Sequence, residues 1–487
     1  MFNMLDGMYS QRRRSRTHAH MPIVRRGQEV LTHEWRRHPV RFESFGRTRA
    51  WVQRSVGGET ARVLADDSRY FLHQSLSTPA LNAVRRLEGI YIEDLAGRRS
   101  MDFHGNNVHH IGYAHPKLIA ALKAQLDDLT FSPRRYTNRV SVELARRMAE
   151  LTGGALGKCL FAPSGSDAVE IALKLARGAT GRHKTISFWD SFHGNGFGAS
   201  SVGGEAVFRD SRLGPLLPGA HLVAPPSCYR GAPGHADADA CGRACVAAIR
   251  GVLEHERDVG ALIACPLVPS EYTPPRWFWE EVRDLCASFG ALLIFDEIPF
   301  GLGKTGRMFG FEHYGVTPDI LVTGKALGGG VVPIACVSAR EELDVLGDLS
   351  IGHYTHEKNP FTAAAALATL RIIEEEELVE NAASLGEYGL HLAAALKERH
   401  RLVGDVRGRG LVMGVELVAD RQTRTPAVRE ARKVLYRALD KGLSLKTTGA
   451  ILALSPPLII TREELERAFA IIDECLTEVE RESDAGQ

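Results

Sequence analysis

From Cys159 to Pro333 the chain alternates short apolar runs with longer stretches in which apolar positions recur at helical spacing. The runs are Cys159–Ala162, Lys184–Phe188, the stretch from Asp258 to Pro266, Ala291–Phe295 and Ile320–Val322. A short apolar run bounded by turn formers suits a strand buried on both faces of a parallel sheet. Ala168 to Arg177 and Trp277 to Phe289 read as helices between such strands. Alternating strand and helix predicts an α/β fold, its mainly parallel sheet covered on both faces. Upstream, Gly89 to Met101 alternates apolar and polar residues around Ala96-Gly97 and predicts a β-hairpin. Pro116 to Leu129 and Val140 to Leu151 read as amphipathic helices. Gly203 to Gly251 reads as loop-rich. Downstream, Thr362 to Leu378 is an alanine-rich helix and Glu380 to Arg399 continues helically. Gly410 to Leu417 and Ala450 to Leu454 read as strands, with helices at Arg429 to Lys441 and Arg462 to Glu480. This tail predicts a smaller α+β domain closing over the large one.

Composition narrows the function classes. The chain has 487 residues, 44% hydrophobic and 24% charged, with a net charge of +1. No acidic or basic field points to nucleic acid or to a membrane surface. No run of 18 apolar residues exists, so no membrane-spanning helix is expected. The first forty residues are basic, with Arg12, Arg13, Arg14, Arg16, Arg25, Arg26, Arg36 and Arg37. They lack the apolar core of a secretion signal and read as a disordered leader or an over-extended start, with Met21 as an alternative first residue. Eight cysteines without a disulfide framework suit reduced thiols in a cytoplasmic enzyme. Cys228, His235, Cys241 and Cys245 match no standard zinc spacing and read as a solvated insertion. No metal site is expected.

The candidate chemistry centres on Ala291 to Gly330. The first apolar run ends in Asp296 and Glu297; the second is followed by Gly324, Lys325 and the glycines 328–330. In open α/β sheets ligands sit beyond the carboxyl ends of the strands. An acid and a lysine there can hold opposite ends of one flat cofactor, as pyridoxal phosphate requires: a lysine for the Schiff base and a carboxylate for the pyridine nitrogen. Gly301-Leu302-Gly303-Lys304-Thr305-Gly306 fits G-x-G-x-x-G, but Arg307 to Phe309 make a poor helix start, and Ile298 stands where a P-loop needs glycine. This stretch reads as a tight glycine turn. Pro163 to Asp167 leads from strand to helix, the geometry that offers N–H groups and the Ser166 hydroxyl to phosphate, or a plain helix cap. Trp189 to Gly194 brings aromatic rings to another strand end, as stacking platform or as core. The cluster from Asp102 to His110 lines a pocket or forms a turn-rich loop.

From about Gly89 onward these motifs, in this order and spacing, resemble the class-III aminotransferases, a family of fold-type I pyridoxal-phosphate enzymes. Asp296 and Lys325 stand 325 − 296 = 29 residues apart, as the family's pattern requires. The resemblance implies Lys325 as Schiff-base lysine and base, Asp296 at the pyridine nitrogen, and Ile298 on the ring's far face. It implies Gly165 and Ser166 as the phosphate loop, Phe192 as the stacking ring beside His193, and Thr355 reaching the phosphate of a neighbouring subunit, hence a homodimer with shared sites. The corresponding domains would be a leader at 1–40, an N-terminal part of the small domain at 41–115, a cofactor-binding large domain at 116–345, a helical connection at 346–400 and a C-terminal small domain at 401–487.

Three departures bear on the substrate. The family usually has Gln where this chain has Pro299. Members acting on α-amino acids carry an Arg three residues before Pro-Pro-Leu, paired with a Glu; here these positions are Ala453 and Ser270. Losing such a bidentate contact is worth on the order of 2–3 kcal/mol to a carboxylate. His104, Asn107, Arg134 and Tyr136 are substrate candidates, with Arg135, Arg209 and Arg276 as further cations. The segments His73 to Pro79, Phe103 to Asn107, Asp296 to Pro299 and Thr355 to Lys358 resemble a branch of ammonia-lyases acting on (R)-2-amino-1-hydroxyethylphosphonate. A lyase of that kind, an aminotransferase using an amine or ω-amino acid, and a non-catalytic cofactor-binding protein are the three readings.

Overall fold

The computed structural model describes Trp51 and residues 55–74, 77, 80–227, 229 and 237–485. The basic leader, Cys228, His235 and parts of the His73 to Pro79 stretch lie outside the described residues. Helix α1 (Gly58–Tyr70) precedes a meander of β1 (Val84–Glu88), β2 (Tyr91–Asp94) and β3 (Arg99–Asp102). Helices α2 (Pro116–Asp128) and α3 (Arg139–Leu151) then lead into the main sheet.

That sheet has seven strands. In chain order they are β4 (Lys158–Ala162), β5 (Lys184–Phe188), β6 (Ala220–Val223), β7 (Val259–Ala264), β8 (Leu292–Asp296), β9 (Ile320–Thr323) and β10 (Ala335–Ala339). Their spatial order is β4-β10-β9-β8-β7-β5-β6. All neighbours are parallel except β10, which runs antiparallel to both β4 and β9. Every residue of β7 and β9 is buried, the burial that a two-sided sheet imposes on its central strands. The α/β expectation therefore holds. Helix α4 (Gly165–Thr180) covers one face; its Ala168, Val169, Ile171, Ala172, Leu175 and Ala176 join the second apolar core cluster with Ile263, Ile294 and Val322.

Two sequence readings need correction. Gly203 to Gly251 is not chiefly loop: besides the short α5 (Phe197–Val202) just upstream, it contains β6 and most of α6 (Ala238–Glu256), a helix of 19 residues. Asp237 caps α6 by accepting from Ala240 N, and much of the buried face is small: Cys241, Gly242 and Cys245 precede Val246, Ile249 and Leu253. Such a face carries a weak apolar signal. The alanine-rich helix also divides. Helix α7 (Phe278–Phe289) precedes β8, and α8 (Pro360–Glu375) starts two residues early because Asn359 Oδ1 accepts from Phe361 N and Thr362 N. At Glu377 the backbone turns left-handed (φ 51°), and α9 (Leu378–Arg399) begins.

The remaining elements are β11 (Val403–Arg409), β12 (Val412–Asp420), β13 (Thr425–Pro426), α10 (Val428–Asp440), β14 (Leu443–Ser444), β15 (Lys446–Thr448), β16 (Ile451–Leu454) and α11 (Arg462–Ala485). An antiparallel sheet runs β11-β12-β16-β15, with β13 beside β12. Strand β14 leaves that sheet and pairs in parallel with β3, Leu443 opposite Met101 and Ser444 opposite Asp102. The first strands of the chain and the last ones thereby meet. Among the described residues no helix is long and apolar enough to cross a membrane.

Candidate active site

Asp296 and Lys325 lie where the sheet predicts. Strands β8 and β9 are parallel neighbours with Asp296 opposite Val322, and Lys325 follows three residues later. Gly324 is extended and lets the chain leave β9; Lys325 opens a single 3-10 turn with φ 45°. A positive φ at a non-glycine residue is strained, and such strain persists where the surroundings fix it. Burial lowers the Lys325 ammonium from its ordinary value, against the pull of Asp296 and Cys265.

Asp296 is held on two sides. Its Oδ2 lies 2.7 Å from His193 Nδ1, and its Oδ1 accepts from Ile298 N at 3.0 Å. His193 Nε2 in turn lies 3.3 Å from Ser187 Oγ. Both side chains of the acid–imidazole pair are almost wholly shut off from solvent. Cys265 completes this corner: its sulfur and the facing atoms of His193 and Asp296 all lie within 4.8 Å of one another. Burial, reinforced by the Asp296 charge, holds its thiol well above the usual range. A carboxylate fixed this way suits a pyridine nitrogen that must stay protonated.

The helix end beside it has the shape of an anion cradle. Ser164 caps α4 by accepting from Asp167 N, and the first-turn N–H groups of Gly165 and Ser166 have no partner within the helix. Ser166 Oγ accepts from Asn195 N at 3.0 Å, which ties this turn to the Phe192–His193 segment. A Cβ on Gly165 would stand 2.8 Å from Ile298 Cδ1, and one on Gly194 2.7 Å from Ser166 Oγ. Ile298 also faces Gly324, so it lies between the two glycines that flank Asp296 and Lys325. The fit to pyridoxal phosphate is therefore complete in kind: buried acid, lysine, apolar floor and N–H cradle.

The other expected residues separate into groups. Phe192 is half-exposed, with its ring 4.6 Å from that of Phe208. His104 and Asn107 stand at the seam of the two sheets. His104 Nδ1 accepts from Asn106 N, and Ser455 donates to Asn107 Oδ1 at 2.7 Å. Burial, with the charge of Lys446 next in size, pushes His104 down to about 4. Arg134 and Tyr136 are on the surface, Tyr136 69% exposed. They share a patch with Thr355: the Phe131 ring packs on His356, and Asn138 and Ser141 both donate to Lys358 O. Arg209 is spent on the carbonyls of Ser200, Ser201 and Gly203, and Arg276 is exposed.

The G-x-G-x-x-G stretch is a turn, with Gly303 at φ 93° and Gly306 at φ 81°. Its Lys304 is fully buried, donates to the carbonyls of Ser455 and Pro456, and is pushed down to about 7 by that burial. Sequence reasoning missed a charged group beside the site, Glu205, Glu271 and Lys446. Burial pushes Glu271 up to about 7 and raises Glu205, while Lys446 acts the other way on both. Nothing in the local sequence marks these residues; Glu205 and Glu271 come from loops and Lys446 from the register of β15 with β16.

The model of the class-III aminotransferase family matches residues 73–476. The chain is 41% identical over 444 residues to an (R)-1-hydroxy-2-aminoethylphosphonate ammonia-lyase of Vibrio splendidus, covering 88% of this chain and 92% of that one. It is 35% identical to a leucine/methionine racemase of Thermococcus litoralis, covering 85% and 94%. Among solved structures, a PLP-bound amine transaminase from an uncultivated Pseudomonas species superposes with a TM-score of 0.80 at 31% identity, over 84% of this chain and 99% of that one. Family and neighbour agree with the geometry on the cofactor, pyridoxal phosphate, and on the fold-type I architecture. The chain belongs to the class-III aminotransferase family.

Proposed function

We propose that the protein is an ammonia-lyase converting a small hydroxyamine with an anionic end, (R)-2-amino-1-hydroxyethylphosphonate, to phosphonoacetaldehyde and ammonia. The observation that carries this reading is the pair Ala453 and Ser270. Ala453 lies opposite Gly414, and Ser270 O packs where a Cβ on Gly414 would stand. Neither position carries the arginine or the glutamate that would clamp an α-carboxylate. The Vibrio splendidus relative supports the same substrate class.

Lys325, Asp296 with His193, Gly165, Ser166, Phe192 and Ile298 would hold the cofactor, and Thr355 would reach the phosphate in a second copy of the chain. The patch shared by Phe131, Tyr136 and Thr355 would be the meeting surface of that homodimer. When bound, pyridoxal phosphate supplies the sink for charge left on carbon. Lys325, its ammonium weakened by burial, takes the proton from the carbon bearing nitrogen. Asp296, held by His193 and Ile298 N, would face the pyridine nitrogen. His104 is neutral at pH 7 and accepts at Nδ1, so its proton sits on Nε2, free to donate to the departing hydroxyl. Loss of hydroxide with that proton leaves an enamine, and one water then releases ammonia and the aldehyde.

The solved amine transaminase favours the second reading, amino-group transfer from an amine or ω-amino acid to a keto acid. Incubation with the hydroxyamine and no keto acid separates them. Stoichiometric ammonia and aldehyde without an acceptor support the lyase; no free ammonia, with aldehyde and the amino acid of the acceptor forming only once a keto acid is added, establishes the aminotransferase instead.

A further inference from the structure

We propose that Lys446 binds the anionic end of the substrate, and that it suits this site to a tetrahedral phosphonate rather than a planar carboxylate. The inference rests on the reading above for the amine end, but its geometry is independent.

Register sets up the site. Arg407 lies opposite Gly414, Gly414 opposite Ala453, and Ala453 opposite Lys446. The four residues form one row across β11, β12, β16 and β15. Directly opposed residues in antiparallel strands share a face. The Ser270–Glu271 turn packs on that face, since a Cβ on Gly414 would meet Ser270 O at 2.2 Å. The row thus has a cation at each end and two small residues between, with Ser270 above them.

The two cations differ in what they hold. Arg407 is occupied: Nη1 lies 2.6 Å from Asp405, Nη2 2.6 Å from Glu416, and Nε donates to Ser270 O at 3.0 Å. Lys446 is exposed, and while its backbone pairs with β16, its ammonium has no ion pair or hydrogen bond among the described residues. Two residues before it, Ser444 O accepts from Phe103 N, and two residues after Ala453, Ser455 bonds Asn107. Lys446 therefore stands over the His104–Asn107 segment. After burial, its ammonium is the largest influence on His104, Glu205 and Glu271, and Lys325 feels it as well. Asp190 joins Glu205 and Glu271 on the acidic side, and Lys446 is the exposed cation set among them.

The chemistry of the head group gives the selectivity. A guanidinium presents a planar fork that matches a carboxylate. An ammonium is a compact charge with three donors on a flexible stem, and it fits a tetrahedral oxyanion from any side. Gly414, Ala453 and Ser270 bring no competing charge to the row between the two cations.

The test is binding to the loaded enzyme, read from the visible band of the cofactor. 2-Aminoethylphosphonate and propylamine carry the same amine with and without the anion. Wild type should bind the phosphonate at least tenfold more tightly. Lys446→Met should weaken the phosphonate about 10- to 100-fold and leave propylamine unchanged, as loss of one charge-assisted contact predicts. Lys446→Arg should recover part of the loss for the phosphonate. Equal weakening of both amines, or of neither, overturns the proposal. Because no turnover is needed, a wild type that shows this split yet releases no ammonia removes the lyase reading and leaves the anion site standing. Ammonia release without the split removes the anion site alone.

Discussion

His193 Nδ1 lies 2.7 Å from Asp296 Oδ2, and the pair is sealed from solvent at the end of β8. The imidazole is the only side chain hydrogen-bonded to this carboxylate among the described residues. His193→Phe removes the donor and leaves a buried carboxylate oxygen unpaired. Turnover is expected to fall about 10- to 100-fold, the usual cost of losing an orienting partner. Asp296→Asn is expected to cost more, roughly 10² to 10⁴. Steady-state rates with cofactor absorbance spectra check both; an unchanged rate in Asp296→Asn would remove Asp296 from the scheme.

Lys325→Ala tests the other end of the same arrangement. It is expected to abolish the visible band of the lysine-bound cofactor and to lower turnover by more than about 10³-fold, since covalent anchor and base go together. Retention of both band and rate would end the assignment.

A methyl group on Gly165 would meet the end of the Ile298 side chain at 2.8 Å, so Ile298 must shift to admit it. Gly165→Ala is expected to cost about 1–3 kcal/mol of stability and to weaken cofactor retention, because the cradle and the floor move apart. Adding Ile298→Ala should restore part of both. A double-mutant cycle on thermal midpoints measures the coupling; strictly additive effects would contradict the contact.

Lys304 gives a stability that depends on pH. Burial lowers it from 10.5 to about 7, so between those values the unfolded chain binds a proton that the folded one does not. Stability therefore rises with pH through that window, by at most about 5 kcal/mol. Lys304→Met lacks the term and leaves the Ser455 and Pro456 carbonyls without their donor. Relative to wild type the variant should be least disadvantaged at pH 6 and most at pH 10. Denaturant midpoints across that range check it; a gap that ignores pH would show that Lys304 is not the titrating group.

The legible part of the site was the part fixed by strand ends. Asp296 and Lys325 follow uninterrupted apolar runs, and a parallel sheet places such ends side by side whatever the loops do. Ser166 was legible for the same reason, at a strand-to-helix turn. Lys446 was not, because its place depends on the register of four strands, and Arg407 and Lys446 are 446 − 407 = 39 residues apart. Arg209 was readable as a cation but not as one already spent on three carbonyls. Helix α6 escaped notice because cysteine and glycine build much of its buried face.

The pairing of Met101 with Leu443 spans 443 − 101 = 342 residues. A ribosome adding about 5–20 residues per second needs on the order of 17–70 s to make that stretch. Throughout that interval β3 has an open edge where β14 will dock, and His104, just beyond it, has no Lys446 above it. The large sheet is synthesised in full during the same wait. The mouth of the site is thus the last part to be assembled, and a nascent chain interrupted before Leu443 would carry Asp296 and Lys325 without the strands that close over them.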